Sequence, residues 1–150
     1  MEEKISSHSH NKIWIHLIWE TLDHQKVLDK EARIKVSEFL FSYAKEKNIF
    51  MKINFVNSDH VHTLINLPTN ITIEECIKLF KGASSHFINQ ERLTTNKFHW
   101  GRGFGAFSVS ESQVQNVVEY IKNQEVHHRG KSFSEEYQLF LKKYNIVVNG

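Results

Sequence analysis

The sequence predicts an α+β fold in which one sheet carries two helices on one face. Two observations predict it: short runs rich in β-branched and aromatic residues are typical of strands, and longer runs with apolar residues at helical spacing are typical of helices. Along the chain these runs follow the order strand, helix, strand, strand, helix, strand. This order is the split β-α-β plan, whose first and third strands form the central pair of the sheet.

The first half of the chain supplies three strands and one helix. Residues 12–19 (KIWIHLIW) predict the first strand, with one face strongly buried and the other partly covered. Residues 30–47 carry apolar side chains at helical spacing and predict the first helix. Two β-rich runs, 50–56 and 60–67, are joined by the turn-prone triplet 57–59, which indicates a hairpin.

The second helix and the fourth strand follow. Thr72 and Glu75 form a capping-box pattern, which predicts a helix that begins here and reaches about residue 89. Residues 90–104 are expected to form a loop, and residues 105–109 (GAFSV) supply the fourth strand.

Two more predicted helices lie after the fourth strand. Ser110 and Gln113 repeat the capping pattern before a third helix, and Ser132 and Glu135 repeat it before a short fourth helix. The expected architecture is therefore a ferredoxin-like, or RRM-like, sheet of two layers, with two helices on one face and a C-terminal helical extension.

Composition and length indicate a single domain. The chain has 150 residues and no linker rich in Gly, Ser or Pro, so we expect one domain over residues 1–150, with residues 1–11 flexible. No apolar run approaches the roughly 20 residues needed to cross a bilayer. A lone Cys76 cannot form an internal disulfide, and the N-terminus has no apolar leader, so we expect a cytoplasmic protein.

Two histidines on the predicted third strand are the first candidates for chemistry. His60 and His62 are two residues apart, so both rings project from the same face of a strand. Two imidazoles side by side can share one metal ion, but the same pattern also occurs as two polar residues on a solvated face. His8 and His10 have the same spacing in the terminus that is expected to be flexible, and we assign them no chemical role.

The predicted third helix supplies two further candidates. Tyr120 and Gln124 are four residues apart and therefore neighbours on one helix face. Both flank the apolar stripe of this helix, at the margin between core and solvent, where a side chain is held in place and can still be reached. An ordinary boundary tyrosine beside a surface glutamine has the same pattern. The amide oxygen of glutamine suits Mg²⁺ or Mn²⁺ better than Zn²⁺.

These candidates stand in motifs that resemble those of a known family. His60-Val61-His62 is similar to the HUH motif, and the stretch from Tyr120 to Gln124 is similar to the single-tyrosine motif, of the small HUH transposases of insertion sequences that move as single-stranded DNA. REP-associated tyrosine transposases are among these relatives. The resemblance extends over about residues 10–145, and its blocks are 58–62, 80–85, 105–110 and 120–129.

The resemblance implies a role for each candidate. His60, His62 and Gln124 would bind a divalent cation, Mg²⁺ or Mn²⁺, and Tyr120 would be the catalytic nucleophile. The implied reaction is cleavage and rejoining of single-stranded DNA at insertion-sequence ends through a 5′-phosphotyrosine intermediate. A tyrosine with a pKa near 10 is only about one part in a thousand ionised at neutral pH, so a neighbouring cation would favour its attack.

Basic residues are concentrated in the second half of the chain. Residues 78–131 hold eight basic and four acidic side chains, although the net charge of the chain is only +2. Some of these basic residues lie on the exposed side of the second helix. An ordinary solvated helix face has the same composition. The loop over 97–104 interleaves basic and aromatic side chains, as single-strand-binding segments do. The candidate DNA contacts are Lys78, Lys81, Ser85, Trp100 and Arg102.

The resemblance also implies partners. Family members recognise DNA hairpins near element ends as dimers, so we expect single-stranded DNA and hairpins as substrates and a homodimer as the working form. In such a dimer Tyr120 of one chain can complete the His60/His62 site of its partner. No membrane partner is expected, and the expected location is the nucleoid region of a bacterial or archaeal cytoplasm.

Two alternatives stay open. A non-catalytic, domesticated DNA-hairpin-binding protein would use the same sheet and basic surface, but it has no reason to keep His60, His62, Tyr120 and Gln124 together. A metal-dependent phosphodiesterase that only hydrolyses DNA would leave Tyr120 without a task.

Overall fold

The computed structural model describes residues 10–124, together with Glu135 and Gln138. Its four strands form one antiparallel sheet in the order β2-β3-β1-β4. The central pair is therefore β1 and β3, as the sequence predicted. The strands are β1 Trp14–Glu20, β2 Phe50–Val56, β3 His60–Asn66 and β4 Gly105–Val109.

Within residues 10–124, three α-helices accompany the sheet: α1 Lys30–Glu46, α2 Ile73–Gln90 and α3 Val114–Lys122. The Asp29 carboxylate accepts a hydrogen bond from the Ala32 backbone N–H at 2.8 Å and caps α1. The Thr72 hydroxyl accepts from the Glu75 N–H at 3.1 Å, which confirms the predicted cap of α2. Each cap gives a partner to an N–H that lies in the first turn, where the helix itself offers none. In the described part of the chain, no helix is long and apolar enough to cross a membrane.

Alternation along the central strands divides their side chains between two cores. Ile15, Leu17 and Trp19 of β1 lie on the face that α1 and α2 cover. They pack there with Val61 and Ile65 of β3, which alternate with His60, His62 and Leu64 along the strand.

The other face of the sheet is covered by α3. Trp14 of β1 and Leu64 of β3 pack against Val114, Val117 and Ile121 of this helix. The fold therefore has three layers, one more than the two predicted. The apolar stripe of α3 and the apolar side chains on this sheet face bury one another, and together they enclose the face that carries His60 and His62.

The start of α3 also differs from the prediction. A short 3-10 turn, Glu111–Gln113, precedes the helix, and the Ser110 hydroxyl lies 3.3 Å from that of Ser112 instead of capping a backbone N–H. Such turns commonly tighten the entry to an α-helix. Of the predicted helix with signals from 132 to 144, the described residues are Glu135 and Gln138, both helical, and the rest lies outside the described residues, as do residues 1–9 of the start that is expected to be flexible.

Thr63 offers a test of the packing between the sheet and the first two helices. It is fully buried in β3, and its hydroxyl has no hydrogen-bond partner among the described residues. A buried polar group without a partner costs about 1–3 kcal/mol. We expect Thr63→Val to raise the free energy of unfolding by about 1 kcal/mol, measured by urea denaturation. Thr94→Val is the control, because the Thr94 hydroxyl already donates to the Asn96 carbonyl. A Thr63→Val protein that is less stable than wild type would contradict the packing described.

Candidate active site

The site is built on the sheet face that α3 covers. His60 and His62 project from this face of β3, and their ring centroids are 5.0 Å apart. Both are buried, with exposed fractions of 0% and 2%. The two histidines are therefore not a polar pair on a solvated surface, and their burial requires partners for their ring nitrogens.

Each histidine of the pair is held through its Nδ1 atom. Nδ1 of His60 lies 2.6 Å from Oδ1 of Asp59, and Nδ1 of His62 lies 2.9 Å from Nε2 of His16. Because a carboxylate can only accept, His60 donates its Nδ1 proton to Asp59. In the neutral ring, Nε2 of His60 then carries the lone pair that a metal ion needs.

His16 is a site residue that the sequence analysis missed. It lies on β1, is fully buried, and has its ring centroid 5.2 Å from that of His62. The same ring meets Tyr120 at 6.3 Å and Phe107 at 6.5 Å, both edge to face. Burial lowers the pKa of His16 to about 3, so the ring is neutral at pH 7.

A signal for His16 was present in the sequence. The first and third strands are the predicted central pair, so side chains on the same face of both strands are neighbours. The two-residue period of a strand places His16 on the face opposite Ile15 and Leu17. What the sequence did not provide is the register. In the structure His16 pairs with Leu64, which puts it diagonally across from His62.

The third helix brings Tyr120 to the histidines of the same chain. The Tyr120 ring centroid lies 6.0 Å from that of His62, with the two rings nearly perpendicular at 81°. Tyr120 is half-buried, at the boundary between core and solvent, as its position beside the apolar stripe predicted. One chain therefore assembles His60, His62 and Tyr120 at one place.

Gln124 lies one turn beyond Tyr120 and is fully buried, so its predicted place at the margin between core and solvent is wrong. Its amide nitrogen donates to the Tyr120 carbonyl at 3.3 Å, so the amide oxygen is the atom suited to a hard cation. Within residues 10–124, no group of three or more His, Cys, Asp and Glu side chains can hold a metal. The Gln124 amide oxygen is a donor of another type, and its role as a metal ligand stays a prediction.

The predicted DNA contacts on α2 lie on the other side of the sheet. Because α2 packs on the face opposite the histidine pair, Lys78, Lys81 and Ser85 are separated from that pair by the sheet. Lys78 is exposed, as is Arg102 in the loop that precedes β4. The Ser85 hydroxyl donates to the Gly82 carbonyl within the helix at 3.2 Å.

Lys81 has partners within the protein. Its ammonium group donates to the carbonyls of Gly101 at 2.6 Å and Gly103 at 3.1 Å. Burial lowers the pKa of Lys81, and the nearby Glu20 carboxylate acts in the opposite direction. Lys81 thus ties the loop of residues 97–104 to α2, and its role as a DNA contact stays a prediction.

Trp100 is anchored in a similar way. Its indole N–H donates to the Ser84 hydroxyl at 2.9 Å, and its ring meets Trp19 edge to face. The neighbouring Gly101 approaches β1 so closely that a Cβ atom would lie 3.1 Å from the Thr21 carbonyl oxygen. The loop is therefore docked on the end of β1, and DNA contact by Trp100 also stays a prediction.

The fold and the site together define a class of protein. A four-stranded antiparallel sheet with a His-hydrophobe-His motif on a central strand, joined by a tyrosine on a following helix, is the arrangement of the single-tyrosine HUH transposases. The family model described as "Transposase IS200 like" matches residues 9–124. The chain belongs to this IS200-like transposase family, and its function is that of a DNA transposase.

Individual relatives agree with this membership. The ISDra2 transposase TnpA of Deinococcus radiodurans is 26% identical over 114 residues, which cover 73% of this chain and 81% of the relative. The transposase for insertion sequence element IS200 of Salmonella typhimurium is 23% identical over 128 residues, which cover 82% and 84%.

Solved structures show the same fold. The crystal structure of a proposed transposase from Deinococcus radiodurans R1 has a TM-score of 0.61 and 25% identity, and covers 81% of this chain and 97% of that one. A REP-associated tyrosine transposase bound to a REP hairpin has a TM-score of 0.59, with coverage of 86% and 75%. Its identity of 14% makes this a likeness of fold.

The buried, neutral His16 makes the stability of the metal-free protein depend on pH. Its pKa is about 3 in the folded protein, against 6.5 when unfolded, so the unfolded chain takes up the proton first as the pH falls. The contribution to stability is complete above pH 6.5 and declines by about 1.4 kcal/mol per pH unit down to about pH 3. Because of this proton uptake by His16, we expect the free energy of unfolding to be roughly 2 kcal/mol lower at pH 5 than at pH 7.

Urea denaturation in EDTA at the two pH values measures this effect. His16→Gln should remove that part of the pH dependence, because glutamine does not titrate. His86→Gln is the control, because His86 is exposed on α2 and its replacement should leave the dependence unchanged. An equal loss of stability at pH 5 in wild type and His16→Gln would show that His16 is not the group responsible.

Proposed function

We propose that the protein cleaves and rejoins single-stranded DNA at insertion-sequence ends, with Tyr120 as nucleophile and a 5′-phosphotyrosine intermediate. One observation carries the proposal: the Tyr120 ring lies 6.0 Å from that of His62 in the same chain, beside a buried histidine pair. A half-buried tyrosine at such a pair has a clear task in strand transfer. In simple hydrolysis it would have none.

His60, His62 and Gln124 are the proposed ligands of Mg²⁺ or Mn²⁺. Their fit is supported by the hydrogen bonds to Asp59 and His16, which engage both Nδ1 atoms, so that Nε2 would be the ligating atom of each ring. The Gln124 amide adds an oxygen, the donor that these cations prefer. A cation bound there would polarise the scissile phosphate and stabilise the charge that develops on it.

The proposed ligand set is neutral, and this affects how strongly a bound cation would attract the DNA phosphates. Two imidazoles and an amide carry no charge, and the Asp59 carboxylate bonded to His60 offsets only part of the charge of a divalent cation, so the cation retains an attraction for phosphate oxygens. The buried surroundings strengthen this attraction relative to water. We therefore expect metal and DNA to bind cooperatively at this site.

In the proposed first step, the Tyr120 phenolic oxygen forms a bond to phosphorus while the bond from phosphorus to the 3′ oxygen breaks. The phenol loses its proton, and the leaving oxygen takes one up to become a 3′-hydroxyl. The 5′ end of the other fragment stays on Tyr120, so the intermediate keeps a phosphodiester bond. A second 3′-hydroxyl then attacks this phosphorus, releases Tyr120 and joins the strands without ATP.

The proposed substrate is single-stranded DNA with hairpins at the element ends. The relative whose structure is described as bound to a REP hairpin has this fold, and its likeness supports a hairpin as ligand here. The exposed Lys78 and Arg102 are proposed phosphate contacts, together with Ser85 of α2. Lys81 and Trp100 would contribute by holding the loop that carries Arg102.

We also propose that two chains act as a homodimer in which each Tyr120 serves the His60/His62 pair of its own chain. The ring contact between Tyr120 and His62 within one chain supports this arrangement. The resemblance also predicts an alternative, in which the partner's tyrosine completes the site. The mixing experiment below distinguishes the two arrangements.

Tyr120→Phe tests the proposed nucleophile. The change removes the attacking oxygen and keeps the ring that packs against His62 and His16. We expect the covalent protein–DNA adduct to disappear while hairpin binding is retained. Incubation with Mn²⁺ and single-stranded DNA that carries the element ends, followed by a denaturing gel, measures the adduct.

The control is Tyr43→Phe, which alters a tyrosine of α1 that packs in the other core. It should leave the adduct intact. Binding without any adduct in wild type would favour the non-catalytic hairpin-binding protein, and cut DNA without an adduct would favour hydrolysis. An adduct that survives in Tyr120→Phe would refute the assigned nucleophile.

Mixing two inactive variants tests which chain supplies the tyrosine. His62→Ala lacks the ligand pair and Tyr120→Phe lacks the nucleophile, so a heterodimer with sites formed within each chain contains no intact site. We therefore expect the mixed proteins to form no adduct. If each tyrosine served the partner's histidines, one intact site would form and the adduct would return, which would contradict the arrangement proposed here.

A further inference from the structure

We propose that His16 is a positioning residue of the strand-transfer site, which fixes the tautomer of His62 and seats the ring of Tyr120. The inference rests on the proposed metal site of His60, His62 and Gln124. Its geometric basis is the buried contact between Nε2 of His16 and Nδ1 of His62 at 2.9 Å.

One proton lies between these two ring nitrogens, and the role of His62 decides which ring donates it. If Nε2 of His62 is a metal ligand, it carries no proton, so the proton of the neutral ring is on Nδ1. Nδ1 of His62 then donates to Nε2 of His16, which must accept. The proton of the His16 ring is therefore on its own Nδ1, and the two tautomers are coupled through one hydrogen bond.

The His16 ring also fixes the space beside the nucleophile. It is fully buried and meets Tyr120 edge to face, with a centroid distance of 6.3 Å and an angle of 70°. Phe107 of β4 supports it from another strand at 6.5 Å. One side chain thus touches both a proposed ligand and the proposed nucleophile, and it links β1 to β3, β4 and α3.

The two histidines of the pair are oriented by partners of different chemistry. His60 is bonded to the carboxylate of Asp59, which adds negative charge next to the ligand. His62 is bonded to an imidazole, which supplies an acceptor without that charge. The contribution of His16 is therefore orientation, and an uncharged acceptor at the same place should replace it.

Two variants separate orientation from packing. His16→Gln can place an amide oxygen near the position of Nε2 and so keep an acceptor for His62. His16→Phe keeps an aromatic ring beside Tyr120 and removes the acceptor. His86→Gln, on the exposed face of α2, is the control for replacement of a histidine.

Nitrogen NMR of the imidazoles with Mg²⁺ bound reads the tautomers directly. In wild type and His86→Gln we expect the shared proton on Nδ1 of His62 and the His16 proton on its own Nδ1. The Nδ1 proton of His62 should lose its hydrogen bond in His16→Phe and keep it in His16→Gln. Electron paramagnetic resonance with Mn²⁺ alone measures the second consequence. His16→Phe should bind Mn²⁺ about 10- to 100-fold more weakly, as is typical for loss of a residue that orients a metal ligand, and His16→Gln should recover most of the affinity.

The outcomes distinguish this inference from the function on which it rests. Wild-type His16 with its proton on Nε2 while Mg²⁺ is bound, or His16→Phe with unchanged Mn²⁺ affinity, would overturn the positioning role while leaving strand transfer in place. Failure of wild type to bind Mn²⁺ and to form a DNA adduct would overturn the proposed function itself. If His16→Phe does not fold, as judged by circular dichroism, the wild-type tautomer and the affinity of His16→Gln decide the question.

Discussion

The antiparallel pairing of β1 with β3 is the constraint on which the site depends. Its register sets His16 opposite Leu64 and Ile18 opposite His62, so His16 and His62 are diagonal neighbours within reach of a hydrogen bond. A slip of one residue would turn His16 toward the helix-covered face and break this contact. Both faces of the central strands are buried, and the register is therefore held by apolar packing on two sides.

The same packing that stabilises the third layer also delivers the nucleophile. The apolar stripe of α3 is buried against Trp14 and Leu64, and Tyr120 stands at the edge of that stripe. The site is thus enclosed without isolated charge: His60 is bonded to Asp59, and the His16 ring is neutral at pH 7. An unpaired charge in such surroundings would be costly, which explains why His60 is bonded to a carboxylate and why His16 is uncharged.

Much of this arrangement could be predicted from the sequence because it depends on local periodicity. The strand period put His60 and His62 on one face, the helical period put Tyr120 beside Gln124, and a capping pattern located the start of α2. Strand register and the docking of α3 are set by contacts between distant segments, so neither the pairing of His16 with His62 nor the third layer could be read from a pattern. For the same reason the partners of Lys81, two backbone carbonyls of a distant loop, could not be anticipated.

The most direct measurement of the central claim is to locate the DNA on the protein after reaction. Trypsin cleaves after Arg102 and Lys122, so Tyr120 lies in the peptide of residues 103–122 and is the only tyrosine in it. After incubation with Mn²⁺ and single-stranded DNA bearing the element ends, followed by nuclease and trypsin, mass spectrometry should find this peptide with a 5′-linked nucleotide on Tyr120. Cleaved DNA with an unmodified peptide 103–122, or a nucleotide on another residue, would contradict the account.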